Sequence, residues 1–460
     1  MKNEILWSLR LGFSAEQSKT IEKLGIEGFL KQSFEAPYNT TVPDLLNDSP
    51  KTFEDFKAIR KIKKEDPEKS KELIKKESQT LHELKAWWIE QIISNEFPLR
   101  EKMTLFWHNH FVTSSQKVKV NYWLFQNNQL YREEAFGNFK TLTKKVLQTN
   151  AMVRYLDNTD NKKGKSNENL SRELLELFTL GIGNYSETDI KNGAKGLAGL
   201  GIGIDGAKYH PFYEDNDPIE YLGKKGVLKM NEMVDAIFDH PKIPYLLTKK
   251  IFQWFIYDQP KEELIHYYGN YFKKVNFEIK PLLVKIFTEE FAKKETAGAK
   301  IKNPLEYSLQ LVDELHIENP NINALVLFLR QQGMDLFNQP NVKGWDGGNS
   351  WLTSQIYLQR NNLADLLCNG RNFNRQKSPS ENNIPKKQSV TVSLEWNPNE
   401  NNKEIIKELT DRTLFSVDKS SQEDFEKILK YDFDPKSPGA NNAVLRLFNA
   451  IVKSPEFQII

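Results

Sequence analysis

The chain has 460 residues, of which 64 are basic (Lys and Arg) and 62 acidic, so its net charge is about +2. A charge this close to zero creates no field that would steer the protein to nucleic acid, so we expect no nucleic-acid partner. The single cysteine, Cys368, excludes an internal disulfide framework and a zinc site made of several cysteines.

The first residues, MKNEILWSLRLGF, lack the apolar core of a signal peptide. No stretch of the chain approaches the roughly 18 consecutive apolar residues of a membrane span, so we expect none. If the sequence is a mature form, the protein is exported, and otherwise it is cytoplasmic. The sequence leaves both compartments open.

In chain order, the first 36 residues predict two short helices. A charged run at 53–76 predicts exposed helix with a break near Pro67, because proline cannot continue a helix that precedes it. Residues 81–93 form a strong apolar pattern that stops before Pro98. Residues 99–112 are apolar on nearly every face, which predicts a buried helix.

Two histidines, His108 and His110, lie near the end of that buried helix. On a helix, residues two apart point about 200° from each other, so both rings could bind one metal ion only if the helix ended or unwound there. A structural role for hydrogen-bonded imidazoles and a role as metal ligands or acid/base groups both stay open.

Residues 167–200 contain a second cluster of functional side chains. Asn169, Arg172, Glu173 and Glu176 follow a spacing of i, i+3, i+4 and i+7, which places them on one stripe of a helix whose other side is leucine-rich. Buried charges must be paired, so one prediction is an ion-pair network that clamps helices together. The other is acid/base chemistry by one carboxylate, with Arg172 keeping its neighbour ionised or binding an anionic substrate.

The next segment, 201–226, is irregular and carries Glu214 and Asp215, which we interpret as exposed loop acids or substrate contacts. Helical patterns then continue to residue 329. The loop at 338–352 contains three glycines with Trp345 and Trp351. It predicts either an aromatic platform for a ligand or a tight turn between helices.

The sequence therefore predicts an all-α fold, a large irregular multi-helix globular domain with at most a minor β element. We expect a main helical domain at 1–370, a polar insertion or linker at 371–402, and helices at 403–460 that pack back on the main domain. Within the insertion, the alternation of Val390, Val392, Leu394 and Trp396 predicts one short strand.

Four motifs resemble those of a large bacterial family known as domain of unknown function 1800. They are LREKMTLFWHNHFVTS (99–114), YLDNTDNKKGKSNENLSRELLELFTLGIGNYSETDI (155–190), PNVKGWDGGNSWL (340–352) and SPEF (454–457). The resemblance implies a mainly α-helical protein and no established activity. It also implies relatives that are often exported and encoded beside a sulfatase-like exported protein, which is a possible partner.

The resemblance extends to single residues. The positions that match the family motifs are His108, His110, Glu168, Arg172, Glu173 and Trp345. This chain departs from the family at Glu214-Asp215, where relatives usually carry a His-Asp pair, and at Ala198 and Leu200, where relatives carry Thr and Trp.

Two functional hypotheses follow. The first is an acid/base or metal-assisted hydrolase or modifying enzyme, with catalytic residues His108, His110, Arg172, Glu173 and Glu176. In it, a divalent metal would bind to His108 and His110, and the substrate would contact Asn169, Glu214, Asp215, Trp345 and Trp351. The second is a non-catalytic binding or assembly protein in which the same residues form a buried polar network.

Overall fold

A computed structural model describes residues 1–371, 391–430 and 432–460. Helices make up 61% and strands 4% of the structure, which confirms the predicted all-α fold with a minor β element. No helix in the described ranges is both long enough and apolar enough to cross a membrane.

Nine helices form the first third of the chain. They are α1 (Asn3–Leu11), α2 (Ser18–Glu35), α3 (Phe53–Glu65), α4 (Pro67–Ile93), α5 (Leu99–His110), α6 (Ser115–Val118), α7 (Asn121–Glu133), α8 (Phe139–Leu147) and α9 (Asn150–Tyr155). The predicted break near Pro67 is confirmed. Asp66 caps α4 by accepting from the Lys69 N–H, and Pro67 takes the first helical position, where no N–H is needed.

The middle of the chain contains the β structure. Its elements are α10 (Asn169–Glu173), a π-helix (Leu174–Thr179), α11 (Glu187–Gly196), β1 (Leu200–Gly201), β2 (Lys208–Tyr209), β3 (Ile219–Tyr221), β4 (Lys224–Gly226) and α12 (Met230–Asp239). β1 pairs with β2 and β3 with β4, both antiparallel. Ser186 and Asp189 form the capping box that starts α11.

The last third is again helical. Its helices are α13 (Ile243–Phe255), α14 (Glu262–Lys274), α15 (Ile279–Glu290), α16 (Pro304–Glu314), α17 (Ile322–Gln331), α18 (Ser354–Cys368), α19 (Asn402–Thr413), α20 (Lys419–Ile428) and α21 (Ala440–Val452). The chain end returns to its middle, where Ile460 and Lys300 exchange backbone hydrogen bonds of 2.8 and 2.9 Å. The predicted polar insertion or linker at 371–402, between the main helical domain and the C-terminal helices, remains a proposal.

The strand predicted at 390–396 does not form in the part of it that the structure describes, 391–396, while Val390 lies outside the described residues. Side-chain burial does alternate along this segment, since Val392, Leu394 and Trp396 are half-buried between exposed neighbours. Ser393 donates to the Leu315 carbonyl at 3.1 Å, but this carbonyl lies at the end of a helix. The segment is extended without a neighbouring strand to pair with, so the predicted strand is wrong for these residues.

Helix α5 runs through the core and fulfils the prediction of a buried helix. Eleven of its 12 residues are buried, and only Asn109 is partly exposed. Two buried charges of α5 form ion pairs, Glu101 with Arg132 at 2.5 Å and Lys102 with Glu306 at 2.7 Å. Because buried charges must be satisfied, these pairs fix α5 against α7 and α16.

Candidate functional site

His108 lies in an aromatic environment within the core. Its ring is 4.6 Å from Trp88 and 4.9 Å from Tyr131, measured between ring centroids. The Asn128 amide lies 3.1 Å from Nε2. Burial lowers the pKa of His108 well below its ordinary value, so the ring is neutral at physiological pH.

His110 points to a different part of the molecule. Its Nε2 donates to the Phe178 carbonyl at 3.0 Å, and its Nδ1 lies 3.3 Å from the ammonium nitrogen of Lys250. Burial, together with the charge of Lys250, lowers the pKa of His110 well below its ordinary value. The ring is therefore neutral, with its proton on Nε2 and a lone pair on Nδ1 that accepts from Lys250.

Among the described residues the two histidine rings share no aromatic neighbour, because α5 stays helical through His110. The structure therefore does not bring His108 and His110 together. Within the described ranges, no group of three or more His, Cys, Asp or Glu side chains could hold a metal ion.

Lys250 of α13 is the main functional candidate that the sequence reading missed. Its Nζ donates to the Leu177 carbonyl at 2.8 Å and to His110 Nδ1, and it forms no ion pair with any carboxylate of the described residues. Burial lowers the pKa of Lys250 to about 8. An ammonium group in these surroundings is costly unless it is paired.

The π-helix explains why the carbonyls of Leu177 and Phe178 can accept hydrogen bonds from Lys250 and His110. In it the Leu180 N–H bonds to the Leu175 carbonyl five residues back, at 2.9 Å. The helical structure ends at Thr179, so the carbonyls of Leu177 and Phe178 lack helical partners. Lys250 and His110 supply the donors, and the cation lies at the negative end of the helix dipole.

The loop at 338–352 forms another wall of the site, and Asn109 holds it in place. Asn109 Oδ1 accepts from the Trp345 N–H at 2.6 Å. Gly344 has φ of +89°, and a Cβ at this position would lie 2.2 Å from Asn109 Oδ1. Only glycine lets the loop come this close to α5.

Replacing Gly344 with alanine is expected to destabilise the protein by roughly 2 kcal/mol, because the left-handed backbone is strained and the new methyl group displaces Asn109. Thermal unfolding measures the effect. Gly333→Ala is the matched control, since Gly333 has φ of +80° but no atom within 4 Å of a Cβ. If both variants lose the same stability, backbone strain alone is responsible and the contact with Asn109 is irrelevant.

Together these elements enclose a cavity of about 270 Å³, which we call the Lys250 cavity. Tryptophans provide much of its wall: Trp345 is 4% and Trp351 6% exposed, and Trp254 of α13 contributes a third indole. The other lining side chains are polar or charged except for Phe106, and they are Asn109, His110, Lys250, Gln253, Asp258, Lys300, Asn303, Lys343 and Asp346. Its size lies at the lower end of small-molecule sites.

Two of the four other charged side chains that line this cavity have partners. Lys300 donates to both carboxylate oxygens of Glu306, at 2.9 and 2.6 Å. Asp258 accepts from the Ile301 N–H at 2.9 Å, and burial raises the pKa of Asp258. Lys250 thus differs from Lys300 because its charge has no carboxylate partner in the described part of the chain.

The polar stripe of residues 167–200 lies outside this cavity. Arg172 forms no ion pair with Glu173. Instead, both of its terminal nitrogens contact the carboxylate of Glu187, at 2.9 and 3.0 Å, and Nη2 contacts Glu168 at 3.2 Å. The side chain of Arg172 is 36% exposed, so these ion pairs join α10 to α11 at a partly exposed position.

Two other members of the stripe have separate partners. Glu176 accepts from the Tyr185 hydroxyl at 2.8 Å, and Asn169 donates to Asp157 at 3.2 Å. The pKa of Glu173 is raised by burial and by the charge of Glu176, and the charges of Arg172 and Lys343 oppose this rise. Since Lys343 also lines the cavity, Glu173 lies close to its border.

The acids of segment 201–226 are paired with lysines. Glu214 contacts Lys229 at 3.0 Å and Asp215 contacts Lys163 at 3.7 Å. Neither acid lines the Lys250 cavity. Of the ten residues predicted for the site, the cavity brings together three: His110, Trp345 and Trp351.

Fold and cavity together define an all-α protein with a tryptophan-walled cavity, lined by a lysine that forms no ion pair with a carboxylate of the described residues. The chain belongs to the family described as "Protein of unknown function (DUF1800)", whose model matches residues 5–459. Comparison with curated proteins and with solved structures gave no match.

Proposed function

We propose that the Lys250 cavity binds a small organic anion and that the Lys250 ammonium holds its acidic group. The observation that carries this proposal is the half-buried ammonium of Lys250, which has no carboxylate partner among the described residues. A partly desolvated cation without a carboxylate partner is expected to attract an anion from solution.

The hydrogen bonds of Lys250 leave room for this ligand. An ammonium group has three N–H donors, and two of them are used by Leu177 and His110. The third is available to an acceptor in the cavity, which Lys250 lines. Because such a bond to an anion is charge-assisted, it is about twice as strong as a neutral one.

The walls favour an anion with an apolar or aromatic body over a bare inorganic ion. Trp254, Trp345, Trp351 and Phe106 offer ring surface for such a body. Asn109, Gln253 and Asn303 supply polar groups that fix orientation. We therefore expect an aromatic carboxylate to bind more tightly than acetate, phosphate or sulfate.

A catalytic role for the same residue is part of the proposal. With its pKa of about 8, Lys250 is suited to exchange a proton near neutral pH, as general acids and bases do. Of the residues first proposed as catalytic, His110 supports this role through its contact with Lys250. A hydrolase reaction, a divalent metal and a sulfatase-like partner stay predictions of the sequence and the resemblance.

Calorimetric titration with benzoate, acetate, phosphate and sulfate tests the proposal. We expect saturable binding of benzoate at one site, weaker binding of the other three, and at least roughly tenfold weaker benzoate binding to Lys250→Met. Lys249→Met is the matched control, because Lys249 lies one residue earlier on α13 and faces Glu262 at 3.8 Å.

Two results would overturn the proposal. One is the absence of saturable binding for all four anions. The other is benzoate binding of equal strength in the wild type and in Lys250→Met, which would show that the anion binds elsewhere.

A further inference from the structure

A second concave surface, a groove of about 680 Å³, lies between α4, α17 and the turn after α6. Leu73, Ile74 and Leu81 line it from α4, at a spacing that places them on one helical face. Val326 and Leu327 line it from α17. Ile74 is 56% exposed, so a large apolar side chain of this groove faces solvent.

One end of the groove is polar, and its hydrogen-bonding groups are already paired. Lys85 of α4 forms an ion pair with Asp335. Asp335 also accepts from the Asn338 amide at 2.9 Å, and Asn338 accepts from the Ser115 hydroxyl at 3.2 Å. This network fixes the end of the groove. A second acid, Glu77, lines the groove from α4 and accepts from the Asn121 amide at 2.9 Å.

Two further cations line the groove. Arg330 lies close enough to Lys85 that its charge adds to burial in lowering the pKa of Lys85. Lys119, which follows α6, lines the groove beside Ser115. Neither Arg330 nor Lys119 forms an ion pair with a carboxylate of the described residues. The three cations that line the groove, Lys85, Lys119 and Arg330, thus outnumber its two acids, Glu77 and Asp335.

From this arrangement we propose that the groove binds a free fatty acid of medium chain length. Its acyl chain lies along Leu73, Ile74, Leu81 and Val326, and its carboxylate contacts Arg330 and Lys119. Ile74 and Lys85 are eleven residues apart on α4, which at 1.5 Å per residue gives about 16 Å, enough for a medium-length chain. Burial of the acyl chain supplies the free energy of binding, and the two cations fix the orientation of the fatty acid.

The positive charges of the groove favour a carboxylate ligand over a neutral apolar one. A neutral apolar ligand would leave Arg330 and Lys119 without partners, whereas a carboxylate pairs with them. A guanidinium group binds a carboxylate with two parallel hydrogen bonds, which makes Arg330 the stronger of the two contacts.

Titration with decanoate and with decanol tests this assignment, using the whole chain. We expect one saturable site for decanoate. The double variant Arg330→Gln/Lys119→Gln should bind decanoate at least roughly tenfold more weakly and decanol unchanged. Ile74→Asp should weaken both ligands. Leu358→Asp is the matched control, because Leu358 is 61% exposed on α18, outside the groove.

Thermal unfolding of each variant checks that it is folded. The proposal is overturned if the wild type takes up no decanoate, or if Ile74→Asp binds it as tightly as the wild type does. It is also overturned if size-exclusion chromatography shows a dimer that only Ile74→Asp dissociates, because a second copy of the chain would then occupy the groove.

Discussion

Replacing Glu306 with glutamine is expected to lower the free energy of unfolding by about 4 kcal/mol, because it leaves two buried lysines without their shared counterion. Glu306 contacts Lys102 at 2.7 Å and Lys300 at 2.6 Å, and all three side chains are buried. Urea unfolding at pH 7 measures the loss. Asp411→Asn is the control, since Asp411 pairs with Lys407 at an exposed position and its loss should not be measurable.

The same variant should change how stability depends on pH. Burial alone would raise the pKa of Glu306, but Lys102 and Lys300 lower it to about 2 from its ordinary value of 4.5. A carboxyl whose pKa is lowered by folding stabilises the protein above its unfolded pKa, and this contribution is lost as pH falls through the folded value. The stability difference between wild type and Glu306→Gln should therefore shrink from about pH 4.5 to 2. A difference that stays constant across this range would contradict the proposed pairing.

Local signals in the sequence predicted much of the fold. The apolar pattern of 99–112 predicted the buried helix α5, and Pro67 predicted the break before α4. These features depend on neighbours a few residues away. The prediction of a strand at 391–396 was wrong because a strand depends on a partner that is distant in the sequence. Alternation of apolar and polar residues alone does not supply that partner.

The candidate site was harder to predict because its residues meet through the tertiary structure. Adjacent residues on a helix do not face each other, so Arg172 turns to Glu168, four residues back, and to Glu187 of α11 rather than to Glu173. The partner on α11 could not be identified from spacing. The wider π-helix that begins at Leu174 also changes the positions of the residues that follow, and no residue pattern announced it.

For Lys250 a signal did exist in the sequence. It follows Leu247 by three residues and precedes Trp254 by four, so it lies on the apolar face of α13. A lysine on a stripe that is otherwise buried is unusual, because burying its charge is costly. Asn109 had a weaker signal, as the residue between the two histidines, and it proved to hold the loop.

Replacing Lys250 with methionine should remove a stability term that depends on pH in the alkaline range. Burial lowers the pKa of Lys250 from 10.5 to about 8. Between these values the folded protein has released the proton that the unfolded chain still binds, so the free energy of unfolding rises with pH. Relative to Lys250→Met, the wild type should therefore gain stability from about pH 8 to 10.5, by at most about 3 kcal/mol.

Urea unfolding of both proteins across this range measures the difference, and other buried lysines such as Lys102 cancel because both proteins contain them. Lys249→Met should show no such pH-dependent difference from the wild type, since its side chain is 44% exposed. Saturating benzoate should shift the gain of the wild type to higher pH, because a bound anion favours the protonated ammonium. A pH-independent difference between wild type and Lys250→Met would mean that Lys250 titrates as an ordinary surface lysine, and the cavity would then lack the enclosed charge on which anion binding depends.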